Sequence, residues 1–201
     1  MPLGDVRGYP SGMLHLASRS PRRRELLGLL GITHGLLDVD IHEQRQSGES
    51  PLDYVNRVAR EKADAGLSQV IGLPDALVLG ADTEVVLDDE VFGKPRDDAD
   101  AARMLRLLSG RTHQVITAVW VASAERQEHA VSVSELRFAV LAETEISDYV
   151  ASGEPRGKAG GYAIQGRAGA FIAHLSGSHS GVMGLPLHDT YQLLRRFGAA
   201  P

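Results

Sequence analysis

A chain of 201 residues with 43% hydrophobic and 23% charged positions is long enough to bury a core, and its 22 glycines and 9 prolines stay below a collagen-like or low-complexity share, so pervasive disorder is excluded. The absence of cysteine rules out a disulfide scaffold, a thiolate zinc site and a cysteine nucleophile, and it fits a reducing cytosol. Lys and Arg number 21 against 26 Asp and Glu, and the net charge of −5 argues against a surface for long nucleic acid while leaving room for a local basic pocket that takes a small anion.

The longest apolar run, Leu26 to Ile32, falls far short of the roughly 20 residues that span a bilayer, so no membrane segment is expected. Residues 1–12 lack the apolar stretch of a signal peptide and read as a flexible tail, with one continuous domain over 13–201.

Leu14 to Ala17 reads as a buried strand that leads into Ser18-Arg19-Ser20-Pro21 and a helix from Pro21 to about Leu30, with Ser20 as its cap and Pro21 at its first position. Arg22, Arg23 and Arg24 occupy the first turn of that helix, where the macrodipole disfavours cations. An anion at the helix terminus would resolve the conflict, since free N–H groups and guanidiniums both suit phosphate; the plainer alternative is a solvated patch beside Glu25. Glu43, in DIHEQRQ, reads as either an exposed loop carboxylate or a candidate acid.

A second amphipathic helix runs from Pro51 to about Gly66, capped by Ser50, and Lys62 interrupts its apolar stripe of Val55, Val58, Ala59 and Ala63. Either the lysine snorkels, or its head reaches a carboxylate or phosphate. Asp75 to Ala81 reads as a strand ending in Gly80-Ala81-Asp82-Thr83, which would deliver the Asp82 carboxylate and Thr83 hydroxyl at a carboxyl end, where open α/β sheets bind ligands. Strand-type sequence resumes from Val85 to Phe92 across an acidic turn at Asp88-Asp89.

A helix from Ala99 to Leu108 precedes two strands, Gln114 to Ala122 and Ala130 to Val140, expected to be antiparallel neighbours. His113, beside Val115 and Ile116, reads as a structural histidine. After a short helix at Glu143 to Ala151 comes Ser152 to Gly169, which holds six of the 22 glycines; a loop of that length is usually functional. In it Tyr162 offers an aromatic face and Gln165 both a donor and an acceptor. A last strand at Phe171 to Leu175 and a last helix at Pro186 to Phe197 complete an α/β pattern with a mixed, twisted sheet flanked by helices.

LASRSPRRRELL, EKA at 61 to 63, GADT, FGKPR, LSGRTHQVITAV, GKAGGYAIQG and GLPL occur in one order from Leu14 to Phe197, and together they resemble the Maf family of nucleoside triphosphate pyrophosphatases. The SPRR, ADT and IQG strings are most similar to the branch acting on dTTP and UTP rather than the branch acting on 7-methyl-GTP. The resemblance implies two lobes around a central nucleotide cleft of the Maf and Ham1 kind. It also implies a cytoplasmic enzyme, dependent on a divalent cation such as Mg²⁺ or Mn²⁺, that splits the α–β anhydride of a nucleoside triphosphate, with a homodimer as its expected assembly.

By the same resemblance Asp82 is the proton acceptor; Arg22, Thr83 and Gln165 set specificity; Ser18, Arg23, Lys62 and Lys94 surround the phosphates; and Asp82 and Glu43 are the expected cation ligands. A nucleotide-responsive regulator of septum formation is the reading from another class. Two departures stand out: Arg19 occupies a position where a small residue is usual and is expected to narrow the phosphate entrance, and Gly181 replaces the usual Asn and is expected to loosen a loop.

Overall fold

A computed structural model describes residues 12–200, so the tail read over 1–12 falls, up to residue 11, outside the described residues. In chain order the elements are β1 (Leu14–Ala17), α1 (Pro21–Leu29), β2 (His34–Leu37), α2 (Pro51–Gln69), β3 (Leu77–Leu87), β4 (Glu90–Phe92) and α3 (Asp98–Leu108). They continue with β5 (Thr112–Ala122), β6 (Gln127–Phe138), α4 (Glu143–Ala151), β7 (Ile172–Ser176), α5 (His179–Met183) and α6 (Leu187–Arg196). All seven strands join one mixed sheet in the order β2-β1-β3-β5-β6-β7, with β4 paired to β3 alone. No helix among the described residues is long and apolar enough to cross a membrane.

The helices begin where the chemistry places them. Ser20 accepts from the Arg23 N–H and Ser50 from the Asp53 N–H, each followed by a proline whose missing N–H is not needed at a first helical position. The β3–β4 turn falls on Asp88 and Asp89, both at positive φ, as a two-residue hairpin with the twist of its strands demands; Asp tolerates that region better than most residues. Two short elements had no pattern to announce them: β2 has four residues, and α5 has five, started by the Ser178 hydroxyl accepting from the Gly181 N–H at 2.9 Å.

Strand β3 differs from the sequence expectation in a way that matters for the site. It does not end at Ala81 but runs unbroken for eleven residues, because β5 pairs with it continuously from Val78 to Val86. Its alternating side chains serve two cores. Leu77, Leu79 and Ala81 face α1 and α6 with Leu26, Leu27, Leu193 and Leu194, while Val78 and Val86 belong to the clusters on the α2 side.

A further cluster gathers α3, α4 and the glycine-rich segment around Phe92, Leu105, Phe138, Tyr149 and Tyr162. His113 lies within it, its Nε2 2.8 Å from the Tyr162 hydroxyl and its ring edge-on to Phe138, which bears out the structural reading. Burial lowers its pKa to about 4. Between the unfolded value near 6.5 and about 4, the unfolded chain binds a proton that the fold refuses, so acidification through that window is expected to remove about 3 kcal/mol of stability. Urea midpoints of His113→Gln at pH 7 and pH 4.5 should differ less than those of the unmodified chain; an equal drop in both would show that His113 does not cause it.

Candidate active site

One edge of β3 changes partner along its length. Leu77–Gly80 pair with β1 in parallel and Val85–Leu87 pair with β4 antiparallel, so on that edge Ala81 to Glu84 pair with neither. A cleft of about 710 Å³ opens at this gap. Ser18 to Arg23, Glu43, Lys62, Asp82, Thr83, Glu84, Lys94 and the segment from Gly157 to Gln165 contribute to its walls. All nine residues that the resemblance assigns to the site, distributed between positions 18 and 165, are therefore in one depression.

On the α2 side the cleft is acidic and lysine-bound. The buried Lys62 ammonium donates to Asp82 Oδ1 at 2.8 Å and lies 2.6 Å from Glu43 Oε1, and Lys94, mostly exposed, stands 3.6 Å from Glu43 Oε2. The lysine on the apolar stripe thus reaches two carboxylates rather than snorkelling, with one of its three N–H donors still available. Its reach depends on Gly80. A Cβ there would sit 2.5 Å from both the Ala59 carbonyl oxygen and the Ala63 amide nitrogen, so the glycine lets α2 lie directly on β3.

Glu43 sits in a segment without regular structure. Arg57 of α2 pins that segment by donating to both Glu49 oxygens, at 2.6 and 2.9 Å, and to the Gln44 carbonyl at 3.0 Å. Asp82 Oδ2 and Glu84 Oε2 are buried with no hydrogen-bond partner. Burial, and next the charges of Asp82 and Glu43, raise the Glu84 carboxyl well above the usual range.

The opposite face of β3 carries a hydroxyl and guanidinium network. Arg23 is buried; its Nε donates to the Gly184 carbonyl at 2.8 Å, its Nη2 to Thr83 Oγ1 at 3.0 Å and its Nη1 to Ser18 Oγ at 3.4 Å. Thr117 of β5 donates its hydroxyl within the same network, 3.0 Å from Thr83 Oγ1 and 2.8 Å from the Gly181 carbonyl. The arginine-rich first turn is therefore resolved in part by neutral acceptors, and α1 has no acidic residue in its first turn. Half-buried Arg22 faces the cleft, as does Lys158, whose ammonium pKa is lowered first by burial and next by the Arg22 charge.

The glycine-rich segment closes the far wall with 3₁₀ turns at Ala159–Gly161 and Arg167–Phe171. Gly160 and Gly161 both take positive φ, and a Cβ on Gly160 would meet Val85 at 2.7 Å. Tyr162 does not present its ring as a free face: it is buried, edge-on to His113 and Phe138, and anchors the segment to the core. Gln165, three residues on, is exposed at the cleft wall.

The family model described as Maf-like protein matches residues 13–197. The chain belongs to the Maf family. Its relatives include a dTTP/UTP pyrophosphatase of Xanthomonas euvesicatoria pv. vesicatoria, 60% identical over 189 residues that make up 93% of this chain and 100% of that one. One of the same name from Xanthomonas axonopodis pv. citri has equal identity and coverage, and a nucleoside triphosphate pyrophosphatase of Xylella fastidiosa is 57% identical over 92% of this chain and 98% of that one. Among solved structures, the Ham1 protein of Staphylococcus aureus aligns with a TM-score of 0.43 and 13% identity, covering 63% of this chain and 72% of that one.

In this Maf chain the two departures have physical consequences. Arg19 is paired with Asp38 and lies 4.0 Å from Asp40, which commits its charge to carboxylates at the cleft rim. Gly181 does not loosen its surroundings: it is buried in α5, tied at its N–H and its carbonyl, and a Cβ there would stand 3.0 Å from Ser132 Oγ and from Ser178 Cβ. Sequence reasoning missed Glu84, Thr117 and the Arg57 clamp. Glu84 was legible in principle, as the second acid on one face of a strand that continues past Asp82.

Proposed function

We propose that this Maf-family chain hydrolyses dTTP and UTP to the monophosphate and pyrophosphate in the cleft at the β3 gap, and that it does so in the cytoplasm. The observation that carries the reading is the convergence of the motif residues on one depression around a carboxylate with a free oxygen. The names of relatives that align along their whole length supply the substrate class.

In this mechanism Lys62 fixes Asp82 through Oδ1 and leaves Oδ2 to take a proton from the attacking water. As water adds, the α–β anhydride P–O bond breaks. The remaining Lys62 N–H, Lys94 and the Ser18 hydroxyl, which already accepts from Ser20 N–H and Arg23, are the donors for phosphate oxygens. Arg23, held on three sides, keeps α1, β3 and the turn at Gly184 in register around them. Arg22, Thr83 and Gln165 select the base: uracil and thymine present two carbonyl acceptors flanking N3–H, which suits donors together with an amide that accepts and donates.

A divalent cation fits the donor set, because Asp82 Oδ2 is a buried hard oxygen without a partner and Glu43 lies next to it across Lys62. No group of three or more His, Asp or Glu side chains among the described residues forms a cage of its own. Asp82 and Glu43 would therefore share the ion with substrate phosphates, as is usual for Mg²⁺. Such an ion supplies charge neutralisation on the phosphoryl oxygens. Excess EDTA should abolish turnover and added Mg²⁺ or Mn²⁺ should restore it; full activity in EDTA would remove the cation from the account.

The selectivity reading is tested with a triphosphate panel. Cytosine inverts the edge that Gln165 reads, and hydrogen-bonded sites reject such mismatches by up to roughly 10⁴ to 10⁵, less in a wet cleft. The kcat/KM for dTTP and UTP should exceed that for CTP and 7-methyl-GTP, and Gln165→Ala should narrow the gap by losing the good substrates. Equal values for all four in the unmodified chain would contradict it.

A further inference from the structure

Among the carboxylates of the cleft, Glu84 has no role in the mechanism above. It follows Asp82 by two positions on β3, so both side chains leave the same face, about 6.5 Å apart at their origin. Both residues are more than nine-tenths buried, both line the cleft, and each keeps one carboxylate oxygen without any hydrogen-bond partner. Buried polar atoms in a fold are normally satisfied, so two such oxygens side by side on one strand mark a place where a donor or a cation binds.

Neighbouring donors do not fill that need. Lys62 spends its contacts on Asp82 Oδ1 and Glu43 Oε1, Lys94 is drawn to Glu43, and Arg23 lies on the other face of β3 with Thr83. On the α2 side of the cleft the three carboxylates Glu43, Asp82 and Glu84 face the two ammonium groups of Lys62 and Lys94, while the cations Arg22, Arg23 and Lys158 line other parts of the wall, and a triphosphate adds further negative charge beside the carboxylates. A hard dication answers both the orphan oxygens and the charge excess.

We infer that Glu84 is a ligand of the divalent cation, its Oε2 joining Asp82 Oδ2 as the protein's pair of oxygens and taking the place of Glu43 in the cation set proposed above, because Lys62 and Lys94 hold Glu43. The inference rests on the cation-dependent reading of the site. Each carboxylate oxygen accepts at more than one lone pair, so Asp82 retains a place for the water proton.

The test is Mn²⁺ binding to the full chain without nucleotide, read from the loss of the free-ion EPR signal, for the unmodified protein, Glu84→Gln, Asp82→Asn and the exposed-turn control Glu125→Gln. Glu84→Gln should weaken Mn²⁺ binding roughly ten-fold or more, as should Asp82→Asn, because affinity at such sites follows the ligand charge count, while the control should leave it unchanged. In turnover, Glu84→Gln should raise the Mn²⁺ concentration for half-maximal rate and recover at saturating metal. Unchanged Mn²⁺ affinity in folded Glu84→Gln would overturn the inference and leave dTTP hydrolysis standing. Weakened binding in a chain that hydrolyses no triphosphate would uphold it while removing the proposed function. Should the amide fail to fold, Glu84→Asp, which keeps the charge but withdraws the oxygen, carries the same test: an unshifted affinity overturns the inference.

Discussion

Asp82→Asn is expected to lower kcat/KM for dTTP by about 10²- to 10⁴-fold, the usual range for loss of a general base, with the fold intact. The substitution keeps the volume of a buried side chain and still offers Lys62 an oxygen at the Oδ1 position. The ammonium also retains Glu43 at 2.6 Å, so no buried cation is stranded. What disappears is the charge on the free oxygen that takes the proton and faces the cation. The measurement is steady-state hydrolysis beside a circular dichroism melt. Folded Asp82→Asn protein with near-normal turnover would remove Asp82 from the chemistry.

Lys62→Met should be costly in two independent ways. Its ammonium is the counter-charge between Asp82 and Glu43, and removing it leaves two carboxylates facing each other at a buried point. Breaking one side of a buried ion pair typically costs about 3–5 kcal/mol, and because Glu43 is a third exposed, the lower end is expected here. The remaining N–H is also lost to the phosphates, so kcat/KM should fall by similar factors for dTTP, UTP and CTP, since phosphates carry no base identity. A urea titration reads the first effect and the triphosphate panel the second. A variant altered only in its preference among bases would contradict the assignment.

How far these outcomes were legible beforehand differs from element to element. Ser20-Pro21 and Ser50-Pro51 marked their helices because caps and first positions are local chemistry, and Lys62 was visible as a charge on a periodic apolar stripe. The gap at Ala81 to Glu84 was not legible, since it arises from a change of strand partner on one edge, and pairing is a long-range property. Taking that interval for a break in the strand hid Glu84. Tyr162 departs from its sequence reading for a related reason: its string favours a ligand loop, but only the packing of Phe138 and His113 shows that the ring anchors the loop. Four-residue β2 and five-residue α5 are too short for periodicity to register and exist through their neighbours.

The most direct test of the central claim is phosphorus NMR of the products formed from dTTP by the purified chain with Mg²⁺. Cleavage at the α–β anhydride predicts dTMP and pyrophosphate in equal amounts, with the reaction strongly slowed in Asp82→Asn. Recovery of intact dTTP would mark a nucleotide-binding protein instead, and dTDP with inorganic phosphate would place the chemistry at the wrong bond; either result would contradict the account.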